Sequence, residues 1–168
     1  QVKKFFQGRL KSIAKDEKID PDVIDAVAAV DIIDPSEFLA RAKALESARN
    51  NEPEVVEDVA TAFKRASHLA DPKLGDQVDE SMLTDPERAL LDACESGEAK
   101  VKTSLDNHDY AGALSVLADL KEPIDTFFDK VLVMDKDEQV KDNHLRLLNR
   151  FSNIFVDVAD ISCLSRTK

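Results

Sequence analysis

The sequence places Lys64, Arg65 and His68 close together, near the end of a segment with helical periodicity. On a helix Lys64 and His68 share a face, four residues apart, and Arg65 lies on the neighbouring stripe. Ammonium, guanidinium and imidazole groups bind phosphates and base edges. The same residue types are also favoured at a helix C-terminus, where they complement the helix dipole. Arg41 and Lys43, on an earlier helical segment, are weaker candidates for phosphate or base contacts.

A second polar group lies in the last helical segment. Arg146, Asn149, Arg150 and Asn153 form a polar stripe opposite the apolar face, and Asn143 lies just before them in the same segment. Arginine and asparagine can make paired hydrogen bonds to base edges and phosphates. The alternative is an ordinary solvated helix face with side-chain pairs four residues apart. We take both groups as candidate nucleic-acid-binding residues: Lys64, Arg65, His68, Asn143, Arg146, Asn149 and Arg150.

The sequence carries none of the motifs that mark a catalytic, nucleotide or metal site. Its four glycines are too far apart to form a phosphate-binding loop, and it has no GxSxG nucleophile motif. The three histidines are isolated, and no His and Cys have the spacing of zinc ligands. Cys94 and Cys163 are expected to be buried, reduced thiols. We therefore expect a non-catalytic chain with no metal site and no cofactor of its own.

Charge is distributed unevenly along the 168 residues, whose formal net charge is −11. Residues 1–18 carry six basic and two acidic side chains, residues 19–140 carry twelve and twenty-nine, and residues 141–168 carry five and three. Nucleic-acid binding needs clusters of Lys and Arg that displace counterions. The distribution excludes a broad basic face and predicts few, local contacts with nucleic acid.

Apolar residues repeat with a helical period along most of the chain, and no stretch shows the sustained alternation of a strand. All six prolines follow Asp or Glu, which is typical of helix starts. One of these pairs opens residues 71–84, which we expect to form an internal loop. The prediction is an all-α bundle of about eight helices, which forms a single domain over residues 1–168. The predicted helices cover residues 3–15, 21–30, 35–49, 53–69, 86–106, 110–121, 123–133 and 137–159.

No run of residues approaches the ~18 apolar positions of a membrane span. The N-terminus has neither an apolar signal region nor an initiator Met. We expect no membrane contact, and a cytoplasmic chain that is a fragment or a processed product.

Six short motifs, in chain order, resemble the β subunit of bacterial heterotetrameric glycyl-tRNA synthetase. The longest, PIDTFFDKVLVM at 123–134, is similar to that family's pId-FFd-VmVM stretch. At matching spacing follow NHLRLL and VADISCL, which resemble NRLxLL and vADiSxL. Upstream, DVIDAV, KRASHL and DYAGAL resemble DVIDAV, KRxxNIL and dYxxAL. Together the matches span residues 4–164.

The resemblance implies the C-terminal part of a β subunit, with the fold of the helical DALR-type anticodon-binding domain of arginyl-tRNA synthetase. It implies binding of the anticodon region of tRNA-Gly in support of ATP-dependent glycylation by the holoenzyme. The catalytic site, which uses ATP and Mg²⁺, would belong to the α subunit. The implied partners are tRNA-Gly, the α subunit and the rest of the β subunit, in an α2β2 enzyme.

Two positions depart from the family pattern, because His68 stands for Asn and His144 stands for Arg. Histidine still forms hydrogen bonds but has a different reach from Asn, and it lacks the guanidinium fork of Arg. Two other functions fit the sequence. One is a helical protein–protein interaction module without direct RNA contact, which the acidic middle would favour. The other is the C-terminal domain of an arginyl-tRNA synthetase, which shares the fold.

Overall fold

Acidic residues followed by proline begin several helices of this protein, as the sequence predicts. The computed structural model describes residues 2–30 and 34–164. Helices α2 (Pro21–Ala28) and α3 (Pro35–Asn51) both start at the proline of an Asp–Pro pair. The Asp34 carboxylate accepts a hydrogen bond from the Ser36 N–H at 2.8 Å. Proline suits this position because the N–H that it lacks would have no helical partner. Arg166 and Lys168, two basic residues of segment 141–168, lie outside the described residues.

The described residues form eight α-helices and contain no strand, which confirms the prediction of an all-α bundle of about eight helices. Three short 3₁₀ turns lie between or after them, at Pro72–Leu74, Glu80–Met82 and Ile161–Cys163. The helices are α1 Val2–Asp16, α2 Pro21–Ala28, α3 Pro35–Asn51, α4 Pro53–Leu69, α5 Asp85–Asp106, α6 Tyr110–Asp119, α7 Lys121–Lys130 and α8 Glu138–Val156.

The interior is organised around α8, which packs against both α4 and α5. Helices α6 and α7 also contact α4 and α5, and α3 joins α1 and α2 to α4. Phe151 and Phe155 of α8 are fully buried, as are Phe127 of α7 and Phe38 of α3. The burial of each Phe side chain contributes about 1.5–3 kcal/mol to the stability of the fold. The apolar stripes in the sequence therefore correctly predict the core-facing side of these helices.

The boundaries of α7 differ from the predicted 123–133. The helix starts at Lys121, so Pro123 is its third residue, where a missing N–H is still tolerated. It ends at Lys130, because Val131 is extended. Residues 131–134 are neither the helix end that the sequence suggests nor a strand. Val133 is instead inserted into the core with 6 % of its surface exposed, and that insertion interrupts the helix.

Candidate nucleic-acid interface

Arg65 lies on the exposed side of α4 and reaches α7. Its Nη1 donates a hydrogen bond to Asp125 Oδ1, and its guanidinium carbon lies 4.9 Å from the centre of the Phe128 ring. A cation within about 6 Å of an aromatic face is attracted by the ring quadrupole. The side chain nevertheless keeps 43 % of its surface exposed. Asp125 and Phe128 therefore hold the guanidinium at the surface, with part of it open to solvent.

Lys64 faces a different part of the surface from Arg65. With Ser67 it lines a cleft of about 530 Å³ between α4 and the segment that follows α8, which contributes Ser162 and Leu164. Lys64 is exposed and has no ion pair among the described residues. The lining combines apolar side chains with the Lys64 ammonium, hydroxyl groups and the Glu57 carboxylate, so it can contact both the face and the polar edge of a planar ligand.

His68 is exposed in the last turn of α4 and makes no hydrogen bond to any described residue. Together with Lys64 and Arg65 it forms the α4 cluster, a name used below for these three residues. The α4 cluster presents three nitrogen donors at the surface, although the structure directs Lys64 towards the cleft and Arg65 towards α7. Sequence spacing predicts that Lys64 and Arg65 lie on adjacent stripes of the helix, but it does not show that their side chains face different neighbours.

The two asparagines of the second group are buried and bonded to the backbone of residues 71–79. Asn143 accepts from the Asp79 N–H at 2.7 Å and donates to the Asp79 carbonyl at 3.0 Å. Asn149 donates to the carbonyls of Asp71 and Gly75, at 2.6 and 2.7 Å. Their exposed fractions are 2 % and 6 %. Both amides thus fasten the loop to α8, and RNA could reach them only if that loop moved away.

The two arginines of the second group are half-buried. Arg146 donates from Nε to the Leu74 carbonyl at 3.3 Å. Arg150 forms a two-point contact with the Glu98 carboxylate of α5, at 2.9 and 3.1 Å. The sequence left open whether this stripe binds RNA or is an ordinary solvated face. In the structure the 71–79 loop lies over Arg146 and Asn149, whereas Arg150 is bonded to α5. A role in RNA binding stays a prediction for all seven candidates, and exposure favours the α4 cluster.

Arg41 and Lys43, the two weaker candidates, lie in different environments. Arg41 is 8 % exposed and donates to the carbonyls of Asp157 and Val158, at 2.8 and 3.0 Å, just beyond the end of α8. Lys43 is exposed, and its Nζ lies 3.5 Å from the Glu17 carboxylate. Arg41 thus satisfies carbonyls at a helix end, which is an internal role.

An acidic groove of about 370 Å³ lies beside Arg65, between α4 and α7. Lys121 is its one basic lining residue, and its Nζ lies 3.4 Å from Asp125 Oδ2. Such a surface repels a phosphate backbone. The acidic residues that line the groove are Asp58, Asp119, Glu122, Asp125 and Asp129.

Asp125 and Phe128 were not among the sequence candidates. They lie in the PIDTFFDKVLVM motif at 123–134, but periodicity along one helix does not show which neighbour it meets. Among the described residues, no group of His, Cys, Asp or Glu is arranged to hold a metal ion. None of the helices described here is long and apolar enough to cross a membrane.

Residues 39–161 match the model of the DALR anticodon binding domain. The chain belongs to this family. The match includes the α4 cluster and all of α5–α8, while α1 and α2 lie before it. The resemblance found in the motifs is confirmed over nearly the whole of this chain, which is similar to part of the beta subunits of glycine–tRNA ligase.

Three such relatives show the extent of the similarity. The beta subunit of Vibrio parahaemolyticus is 38 % identical over 98 % of this chain, that of Aliivibrio fischeri is 38 % identical over 96 %, and that of Magnetococcus marinus is 40 % identical over 95 %. The chain spans about a quarter of the length of these curated relatives, 24 % in each case. The similarity to these relatives extends beyond the DALR match at residues 39–161.

Proposed function

We propose that this DALR domain binds the anticodon region of tRNA-Gly as a non-catalytic part of a glycine–tRNA ligase beta subunit. The observation that carries the proposal is an exposed cluster of nitrogen donors on α4, inside the matched anticodon-binding family model and on a protein whose formal net charge is −11. ATP-dependent glycylation, with its ATP and Mg²⁺, is then the task of the α subunit in an α2β2 cytoplasmic enzyme. The rest of the beta subunit and the α subunit are the protein partners.

Arg65 is the residue best placed to read a single-stranded loop. Bases of such a loop are splayed out, stack on planar side chains and are recognised at their edges. Phe128 supports one face of the Arg65 guanidinium at 4.9 Å, so the exposed face can stack on a base. Asp125 uses Nη1, which leaves the remaining guanidinium N–H groups for a phosphate or a base edge.

We assign further RNA contacts to Lys64 and His68, on the side of α4 that faces away from the acidic groove. Lys64 supplies a compact positive charge at the mouth of the cleft, which suits a phosphate oxygen. His68, which stands where the family has Asn, can either donate to or accept from a base edge. The acidic groove next to α7 keeps the phosphate backbone on the side of α4 that carries these two residues.

The proposal is tested by fluorescence anisotropy of labelled tRNA-Gly at low salt. The second probe is the same tRNA with the second and third anticodon bases changed. We expect tighter binding of the native anticodon, because base edges as well as phosphates are contacted. Equal affinity for both would reduce the domain to a holder of the RNA backbone, and no binding by the full polypeptide would contradict the proposal.

Two variants make the same test residue-specific. Lys64→Gln removes a charge from the α4 cluster, and Lys100→Gln removes one from an exposed position on α5 as a matched control. We expect Lys64→Gln to raise the Kd and to lower the slope of log K against log salt by about 0.7 to 0.9, the value for one lost phosphate contact. Lys100→Gln should leave both unchanged.

A protein–protein interaction module is the second candidate function. The acidic groove between α4 and α7 favours it, because five carboxylates facing one channel suit a basic protein surface. RNA binding separates the two functions. Phosphate contacts predict affinity that falls steeply with salt, whereas an interaction module predicts no RNA binding to lose.

A further inference from the structure

Among the helices of the described residues, α1 stands apart in its charge. It carries five basic residues and one acidic residue, and none of the other described helices has a net charge above +1. Its buried side rests on Leu10 and Ala14, which pack against α2 and α3. Lys4, Arg9, Lys11 and Lys15 are exposed on the rest of the helix, on a protein whose net charge is −11.

The same helix holds the exposed phenylalanine side chains of the protein. Phe5 is 73 % exposed and Phe6 is 37 % exposed, whereas the other six Phe are buried or half-buried. Leaving a phenyl ring in water forgoes the free energy that its burial would contribute. Such exposure in pairs, on one turn of one helix, marks a surface that meets another molecule.

The cations on α1 are available for binding. Lys4, Arg9 and Lys15 make no hydrogen bond or ion pair with a described residue, while Lys11 is paired with Asp25 at 3.0 Å. Arg9 follows Phe5 by four residues, so the guanidinium and the ring lie one turn apart on the same face. The α1 strip, a name for Phe5, Arg9 and their exposed neighbours Lys4 and Lys15, thus sets an aromatic ring beside free positive charges.

We propose that the α1 strip binds a single-stranded segment of RNA, with Phe5 stacking on a base and Arg9 contacting a phosphate. Proteins that hold single strands combine basic residues along the backbone with aromatic rings on which bases stack. Charge complementarity selects RNA over a protein partner, because a +4 helix on an acidic molecule attracts a polyanion. This contact lies outside the matched family residues 39–161, and it rests on the proposed function for tRNA as the RNA concerned.

The decisive comparison is Phe5→Leu against Phe5→Trp, measured as binding of labelled tRNA-Gly to the full polypeptide with all of its chain retained. Leu keeps an apolar side chain but loses the π-face, whereas Trp keeps the face. We expect Phe5→Leu to raise the Kd about fivefold or more, and Phe5→Trp to remain within about twofold of the parent protein. Leu132→Ala is the matched control, since Leu132 is 71 % exposed in the connection between α7 and α8.

Arg9→Gln tests the phosphate contact independently of stacking. We expect the slope of log K against log salt to fall by about 0.7, the value for one contact with a single strand. Lys100→Gln on α5 is again the control, with an unchanged slope. Because Phe5 and Arg9 are both exposed, the thermal midpoint should stay unchanged in all of these variants, which separates binding from folding.

The outcomes distinguish this inference from the proposed function. If Lys64→Gln weakens tRNA binding while the Phe5 and Arg9 variants do not, the α1 strip is not an RNA contact and the proposed function stands. If the parent protein does not bind tRNA, both fail. Unchanged tRNA affinity with an altered sedimentation coefficient for Phe5→Leu would overturn the inference and make the strip a protein interface. Equal weakening by Phe5→Leu and Phe5→Trp would overturn the stacking contact.

Discussion

His144 of α8 and Glu87 of α5 form a buried pair that fastens the second turn of one helix to the first turn of the other. Each is 3 % exposed. The His144 Nδ1 lies 3.1 Å from the Val133 carbonyl, and its Nε2 contacts Glu87 Oε1. A carbonyl and a carboxylate only accept hydrogen bonds, so the ring can satisfy both with its two nitrogens as donors. His144 thus makes two contacts from the position that is Arg in the NRLxLL motif it resembles.

Glu87 is held in place from a second side. Its Oε2 accepts from the Thr84 N–H at 2.6 Å and from the Thr84 hydroxyl, which forms the capping box of α5. One carboxylate therefore satisfies the start of α5 and, through His144, the extended segment around Val133. The position of His144 is explained by this internal ion pair, and no contact with RNA is needed to account for it.

Removing the imidazole should destabilise the fold strongly. His144→Ala leaves the Glu87 carboxylate buried without its partner, which costs about 3–5 kcal/mol of unfolding free energy. Urea unfolding followed by circular dichroism measures the change. His68→Ala is the matched control, since His68 is exposed and unbonded, and its effect should stay within about 0.5 kcal/mol. Similar small effects for both variants would contradict the structural role of His144.

The Glu87 carboxylate should also make stability depend on pH. Burial raises the pKa of Glu87, but hydrogen bonds from Thr84 and the charge of His144 outweigh it, so the pKa lies below its ordinary 4.5. The folded chain then binds fewer protons at this site than the unfolded chain. The stabilisation is present above pH 4.5 and is lost as the pH falls through the folded-state pKa.

Glu87→Gln isolates this contribution from the other carboxylates of an acidic chain. The difference in unfolding free energy between parent and variant should be largest near about pH 7 and should shrink towards about pH 3. Urea titrations at a series of pH values provide the measurement. A difference that stayed constant across the series would mean that the Glu87 charge does not contribute.

Much of the fold could be predicted from the sequence, because helical periodicity and acidic–proline pairs are local signals. They placed α3 and α4 within two residues of their observed ends. They failed for α7, since the insertion of Val133 into the core and its bond to His144 are tertiary effects that no local pattern carries. The sequence predicts a loop over residues 71–84, but no local pattern shows that this loop packs along α8.

The candidate site was less predictable for the same reason. Residue types identified Lys64, Arg65 and His68, but whether a polar side chain is free depends on what lies across from it. Asn149 is of a residue type that often binds RNA, yet its amide donates to two carbonyls of the 71–79 loop. The helical periodicity of residues 3–15 likewise does not show that the structure leaves the Phe5 ring in solvent.

Asn149→Ala should release the 71–79 loop. The two carbonyls of Asp71 and Gly75 lose their donor, which costs about 1–3 kcal/mol for buried groups left unpaired. Amide hydrogen exchange should speed up across the loop while the core of α8 stays protected. Asn153→Ala, one turn further and exposed, makes a suitable control because its bond to Asp76 is long at 3.4 Å. Equal exchange in both variants would show that the amide does not hold the loop.

Arg65 and Asp125 should have opposite effects on tRNA affinity. Arg65→Ala removes the guanidinium that we assign to a base, so affinity should fall, while the melting curve stays unchanged because a surface ion pair contributes about 0–1 kcal/mol. Asp125→Asn removes the anion that competes for the guanidinium, so affinity should rise, with the largest gain at low salt.

Arg65→Lys keeps the charge but loses the planar fork, and we expect it to restore only part of the affinity. Anisotropy titrations of the three variants measure these changes. Unchanged affinity of Arg65→Ala with an unchanged melting curve would remove Arg65 from the interface.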